Sequence, residues 1–227
     1  MVELDRVIAM TPPHSFTLDV PEKTIAKIKK RVAAFPWHEM PDDRGWEYGG
    51  NLNYMREFCT YWVENFDWFK QQDAINRLNY LTTAVDEIDV HFIHEKGSGE
   101  NAQPLIISHG WPGSVVEFID FIDLLAHPER HGGNIEDAFD VVAPSLPGFG
   151  FSGRPPRPWG PRRMAQTLNS LMTKTLGYNS YIAQGGDWGG AISSFLGFDH
   201  APACRAIHIN ILTMRHPGGP QTPAEVM

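Results

Sequence analysis

Hydrophobic positions follow two different rhythms along this chain. Up to about residue 84 they recur at three- and four-residue steps, the spacing that gathers side chains on one face of an α-helix. Ile25, Ile28, Val32 and Phe35 form one stripe, opened by Pro21 and ended by Pro36. After the Gly/Asp-rich loop PDDRGWEYGGN, the residues Leu52, Met55, Cys59, Trp62, Phe66 and Phe69 predict one long amphipathic helix, and Ile75, Leu78 and Leu81 predict a short third one. From residue 85 the apolar runs shorten. Residues 85–94 read as a strand or hairpin, and 105–107, 140–143, 181–183 and 205–211 as strands. Between them, 114–126, the stripe Met164, Leu168, Leu171, Met172, Leu176 (stopped by Gly177) and 189–198 read as helices. Alternating strands and helices predict an α/β fold with a mostly parallel, doubly wound sheet. The chain therefore divides into a helical, aromatic-rich region over 1–84 and an α/β region over 85–227.

Composition narrows the function classes. The 227 residues are 42% hydrophobic and 20% charged, which excludes a disordered chain. Nineteen Lys and Arg against 27 Asp and Glu give a net charge of −8, which argues against a nucleic-acid partner. Two cysteines, Cys59 and Cys204, make neither a disulfide framework nor a four-cysteine zinc site. Glu3, Asp5 and Arg6 precede any apolar run, unlike a secretory signal, and no stretch approaches the roughly 18 apolar residues of a membrane span. The expectation is a soluble, cytoplasmic protein.

The strongest chemical motif is Gly185-Gly186-Asp187-Trp188-Gly189-Gly190, between a predicted strand and a predicted helix. Its spacing is that of a nucleophile elbow, Gly-x-nucleophile-x-Gly, with Asp187 as nucleophile. The glycines remove side chains that would collide in the sharp turn, and the following helix N-terminus favours an anion. The plainer alternative is a glycine-rich turn with a helix-capping Asp. His109-Gly110-Trp111-Pro112-Gly113-Ser114 follows the strand at 105–107, where this type of fold supplies one oxyanion-hole N–H. The two donors would be the backbone N–H groups of Trp111 and Trp188. His109, Gly110 and Pro112 are assigned to substrate binding or loop support, and His109 reads as a loop brace rather than a general base. The rigid loop Pro144-Ser145-Leu146-Pro147-Gly148-Phe149-Gly150-Phe151-Ser152 follows the next strand. All three motifs lie at C-terminal strand ends, the edge at which open α/β sheets bind ligands. His91-x-x-His94 fits an alternating strand better than a metal site, and Lys27-x-Lys29-Lys30-Arg31 reads as a solvated helix face.

HGWPGS, PSLPGFGFS and GGDWG resemble the blocks of the epoxide hydrolases of the α/β-hydrolase superfamily, in the microsomal and juvenile-hormone branch with an extra N-terminal domain. Phe35-Pro36, Trp46-x-Tyr48-Gly49, Tyr61-Trp62, Asp67-Trp68 and 91–94 resemble that domain. The resemblance implies epoxide metabolism or detoxification with no cofactor and no metal. Asp187 would attack an epoxide carbon, and water activated by a His–acid pair would hydrolyse the resulting ester to a diol. It also implies a small-molecule epoxide as partner and two lid tyrosines as donors to the epoxide oxygen. The triad order is nucleophile, acid, His. After Asp187 stand only Asp199, Glu225, His200, His208 and His216. None fits the acid or the His, and the six tyrosines match neither lid donor. The expectation is a C-terminally truncated sequence lacking lid and later strands, its activity alone left open. Two alternatives stand beside it: an inactive fragment or pseudoenzyme serving as a binding module, and a haloalkane dehalogenase-like hydrolase, which shares an Asp followed by Trp.

Overall fold

The computed structural model describes residues 12–38 and 45–212. The chain falls into two compact units, Thr17–Arg77 on one side and Met1–Phe16 with Leu78–Met227 on the other. The predicted boundary after residue 84 thus differs from the contact boundary by one strand. A short strand β1 (His14–Ser15) pairs antiparallel with β2 (Tyr80–Val85), so residues 80–85 belong to the sheet.

The smaller unit holds three helices, α1 (Glu22–Ala33), α2 (Leu52–Glu64) and α3 (Trp68–Ile75). The single helix predicted over 52–69 is two. The Asp67 carboxylate accepts the Lys70 N–H at 3.1 Å and caps a new helix, which stops α2 from running on. Asn51 caps α2 in the same way through the Tyr54 N–H. The third helix therefore lies at Trp68–Ile75, and Leu81 is on a strand. Leu18 exchanges two hydrogen bonds with the Asn76 side chain, both 2.9 Å, and the Val20 N–H donates to Gln72 Oε1, which ties the entering chain to α3.

The larger unit is built on a seven-stranded sheet of order β1-β2-β3-β5-β4-β6-β7. Its remaining strands are β3 (Ile88–Glu95), β4 (Gln103–Ser108), β5 (Phe139–Pro144), β6 (Tyr181–Gly185) and β7 (Cys204–Ile209). The four strands β5-β4-β6-β7 are parallel, and β1, β2 and β3 are joined antiparallel at one side. Three helices connect the parallel strands: α4 (Ile119–Ala126), α5 (Pro161–Ser170) and α6 (Trp188–Asp199). Both faces of the central strands are buried, as parallel sheets require. On one face Phe92, Ile106, Val142 and Ala183 pack with Leu168, Ile192 and Leu196 of α5 and α6 in the main core. The alternate residues Ile93, Leu105, Ile107, Val141 and Ala143 point the other way and are equally buried. The parallel order brings the C-terminal ends of β4, β5, β6 and β7 to one edge. No described helix is long and apolar enough to cross a membrane.

Candidate active site

Asp187 sits where β6 turns into α6, with φ 51° and ψ −124°. It is one of only two described non-glycine residues with positive φ. A side chain held there costs about 1–3 kcal/mol and persists only where the surroundings enforce it. The glycines show how they do so. A Cβ on Gly185 would run into the Gly189 backbone, and one on Gly189 would lie 2.7 Å from the Ser108 carbonyl carbon. The start of α6 is thus pressed against the end of β4, and the tight turn exposes the Asp187 side chain.

The loop after β4 meets this carboxylate. The Trp111 N–H donates to Asp187 Oδ1 at 2.8 Å. The backbone N–H groups of Trp111 and Trp188 hold the Asp187 carboxyl below its usual range, so it is anionic at neutral pH. Gly110 makes the approach possible, because a Cβ there would fall 2.6 Å from Asp187 Cβ. The Trp111–Pro112 peptide is cis. Ser114 and Glu117 form a capping box over the turn leading to α4, with Glu117 Oε1 accepting the Ser114 N–H at 3.1 Å. The Glu117 carboxylate occupies the space that a Gly113 side chain would need.

The third loop is bound to the loop after β4 through His109 and to β3 through His91. His109 is buried, and its imidazole bridges the Gly110 carbonyl at Nδ1 (2.9 Å) and the Leu146 N–H at Nε2 (3.1 Å). Burial keeps it below the ordinary histidine range. With both nitrogens engaged, His109 has no free lone pair for a general base. His91, on β3, binds Ser145 Oγ through Nδ1 at 3.0 Å, and its backbone N–H donates to Ser152 Oγ. Ser145 and Ser152 are therefore loop struts. Phe16, Tyr80 and Phe151 enclose the His91 ring, and burial pulls its pKa down to about 4.

A cavity of about 460 Å³ beside Asp187 is lined by His109, Gly110, Trp111, Glu117, Gln184 and Asn210 among others. Sequence reasoning missed Gln184, Asn210 and Glu117. Asn210 directly follows β7, so the rule that placed the other loops at the C-terminal edge could have found it. Its side chain lies where a Cβ on Gly186 would stand. His109 is the only imidazole among the described residues lining this cavity. Asp199 and His200 lie at the far end of α6, where Asp199 is engaged by Arg162 at 2.6 and 2.7 Å. His208 is an exposed residue of β7. His216 and Glu225 fall outside the described residues. Among the described residues no group of His, Cys, Asp and Glu is arranged to hold a metal ion.

Comparison with known proteins agrees with this fold. Residues 13–118 match the family described as epoxide hydrolase N terminus, and residues 103–212 match the alpha/beta hydrolase fold. Residues 13–118 thus belong to the epoxide hydrolase N-terminal family. It is 39% identical over 196 residues to a putative epoxide hydrolase of Stigmatella aurantiaca, covering 86% of this chain and 44% of that protein. It is 33% identical over 201 residues to epoxide hydrolase 1 of Sus scrofa, with the same two coverages. The juvenile hormone epoxide hydrolase of the silkworm Bombyx mori superposes with a TM-score of 0.81 at 28% identity, over 92% of this chain and 49% of that one. The chain thus spans about 44% of the length of these two curated relatives.

Proposed function

We propose that this protein is an epoxide hydrolase that acts through Asp187. The Asp187 oxygen not held by the Trp111 amide attacks an epoxide carbon. A C–O ester bond forms, the ring C–O bond breaks, and the ring oxygen takes up a proton to become the first hydroxyl. Water then attacks the ester carbonyl. The carbonyl oxygen, Oδ1, becomes an oxyanion between the Trp111 and Trp188 N–H groups, and collapse releases a vicinal diol and the free carboxylate. A carboxylate suits this sequence because attack is at a saturated carbon and the ester reopens at its own carbonyl.

One observation carries the reading: an Asp on a strained strand-to-helix turn, its Oδ1 already 2.8 Å from a backbone N–H of the neighbouring loop. That donor needs no rearrangement when charge develops on Oδ1, the condition for effective oxyanion stabilisation. His109, the only imidazole lining the cavity among the described residues, has both ring nitrogens engaged and is not the base that activates this water. Free Cys59 and Cys204 support a reducing, cytoplasmic compartment. Turnover of styrene oxide by the wild-type protein and by Asp187→Asn tests the proposal. Diol formation lost in the variant supports it, and diol formation retained rejects it. A bromoalkane turned over in preference to styrene oxide would favour dehalogenation.

A further inference from the structure

We propose that His109 is a positioning residue that sets the aim of the Trp111 amide, holding the Gly110–Trp111 peptide plane from behind and tying it to the loop after β5. The inference takes the Asp187 site as read above and adds the device that keeps one of its donors in place.

The direction of each hydrogen bond follows from its partners. The Leu146 N–H can only donate, so His109 Nε2, 3.1 Å away, carries no proton. A neutral ring with a bare Nε2 has its proton on Nδ1, which lies 2.9 Å from the Gly110 carbonyl oxygen and donates to it. That oxygen and the Trp111 N–H are opposite ends of one planar peptide unit. Any rotation that swings the N–H away from Asp187 Oδ1 therefore also pulls the carbonyl off the imidazole. The ring itself is 1% exposed and meets Phe149 edge-to-face at 5.7 Å, which leaves it little room to tilt. Gly110 has no side chain with which to brace the peptide, since Asp187 occupies that space. The bracing group therefore comes from the preceding residue. Leu146 and Phe149 belong to the loop that His91 anchors through Ser145 and Ser152. The position of the Trp111 donor is consequently coupled to that loop.

The test uses NMR on the intact chain. Long-range ¹H–¹⁵N spectra of the His109 ring should show a protonated Nδ1 and a bare Nε2. Asp187 is then titrated by ¹³C carboxyl shifts in the wild type, His109→Asn and His109→Phe. The Asn amide nitrogen reaches the place of Nδ1 and can still donate to Gly110, whereas Phe keeps the ring volume and loses both bonds. The Trp111 amide proton should remain downfield and the Asp187 midpoint low in H109N. Both should move towards ordinary values in H109F, with β6 and α6 amide shifts unchanged. A ring protonated at Nε2, or an H109F protein with unaltered Trp111 and Asp187 signals, overturns the proposal. If H109F does not fold, a Trp111 signal lost in H109N overturns it and one retained supports it. No readout depends on turnover, so absent epoxide hydrolysis would refute the functional reading and leave this one standing.

Discussion

Replacing Gly189 by Ala sets two physical effects against each other. Gly189 lies in the first turn of α6, and in a helix Ala is favoured over Gly by about 1 kcal/mol. In this fold the added Cβ would stand 2.7 Å from the Ser108 carbonyl carbon and 2.9 Å from the His109 carbonyl oxygen, and nearer still to the Ser108 oxygen. Carbon atoms settle at about 3.5–4.0 Å, so the end of β4 and the start of α6 must separate by about 1 Å. Both sides are backbone, and no side-chain rotation relieves the overlap. Overpacking of this kind costs about 3 kcal/mol at the upper end of its usual range. The net effect is a loss of about 2 kcal/mol, opposite in sign to the helix preference. Gly197→Ala on the same helix is the control, because the three atoms nearest its Cβ belong to the Ile207 side chain, the closest at 2.9 Å. Its stability should change by less than about 1 kcal/mol. Urea unfolding followed by circular dichroism reads both variants. A Gly189→Ala protein as stable as the wild type would refute the proposed pressing of α6 onto β4.

Further outcomes follow from the same geometry. Gly110→Ala pushes against Asp187 Cβ and should break the Trp111 N–H bond to Oδ1. A bond to a charged group is worth about 1.5–3 kcal/mol, so hydrolysis of the alkyl-enzyme ester should slow by about 10- to 100-fold, read by quenched-flow mass spectrometry as a longer-lived adduct. The Asp187 carboxyl is held low, so epoxide capture at that residue should not fall until the pH drops below the ordinary carboxylate range, measured as a pH–rate profile. Burial holds His91 near pKa 4 against an ordinary 6.5. The unfolded chain therefore takes up a proton that the folded chain refuses as pH falls from about 6.5 to 4. Stability is full above that window and declines through it by up to about 3 kcal/mol. Urea midpoints at pH 7 and pH 4.5 should show the decline, and His91→Phe should reduce it.

The parallel half of the sheet was legible in the sequence because short apolar runs bounded by glycine and proline have few other readings. Gly185, Gly189 and Asp187 were legible because a strained turn admits few residue types. The break between α2 and α3 was not. Phe66 and Phe69 continue the helical stripe, and only the local bond from the Lys70 N–H to Asp67 stops it. Leu78 and Leu81 likewise share a helical spacing, yet residues 80–85 form a strand because β3 offers an antiparallel partner. The site shows the same divide. The Trp111–Asp187 bond spans 76 residues, and the His109–Leu146 bond spans 37. Motif spacing located the ends of those bonds without saying which nitrogen faces which oxygen. No motif singled out Glu117, and the space left by Gly113 is what brings its carboxylate into the cavity.

The most direct test of the account is intact-mass and peptide mass spectrometry of the protein quenched in acid after mixing with styrene oxide. The account predicts a mass gain of one epoxide, mapped to Asp187 and lost in Asp187→Asn. No gain at Asp187, or the same gain in the variant, would contradict it.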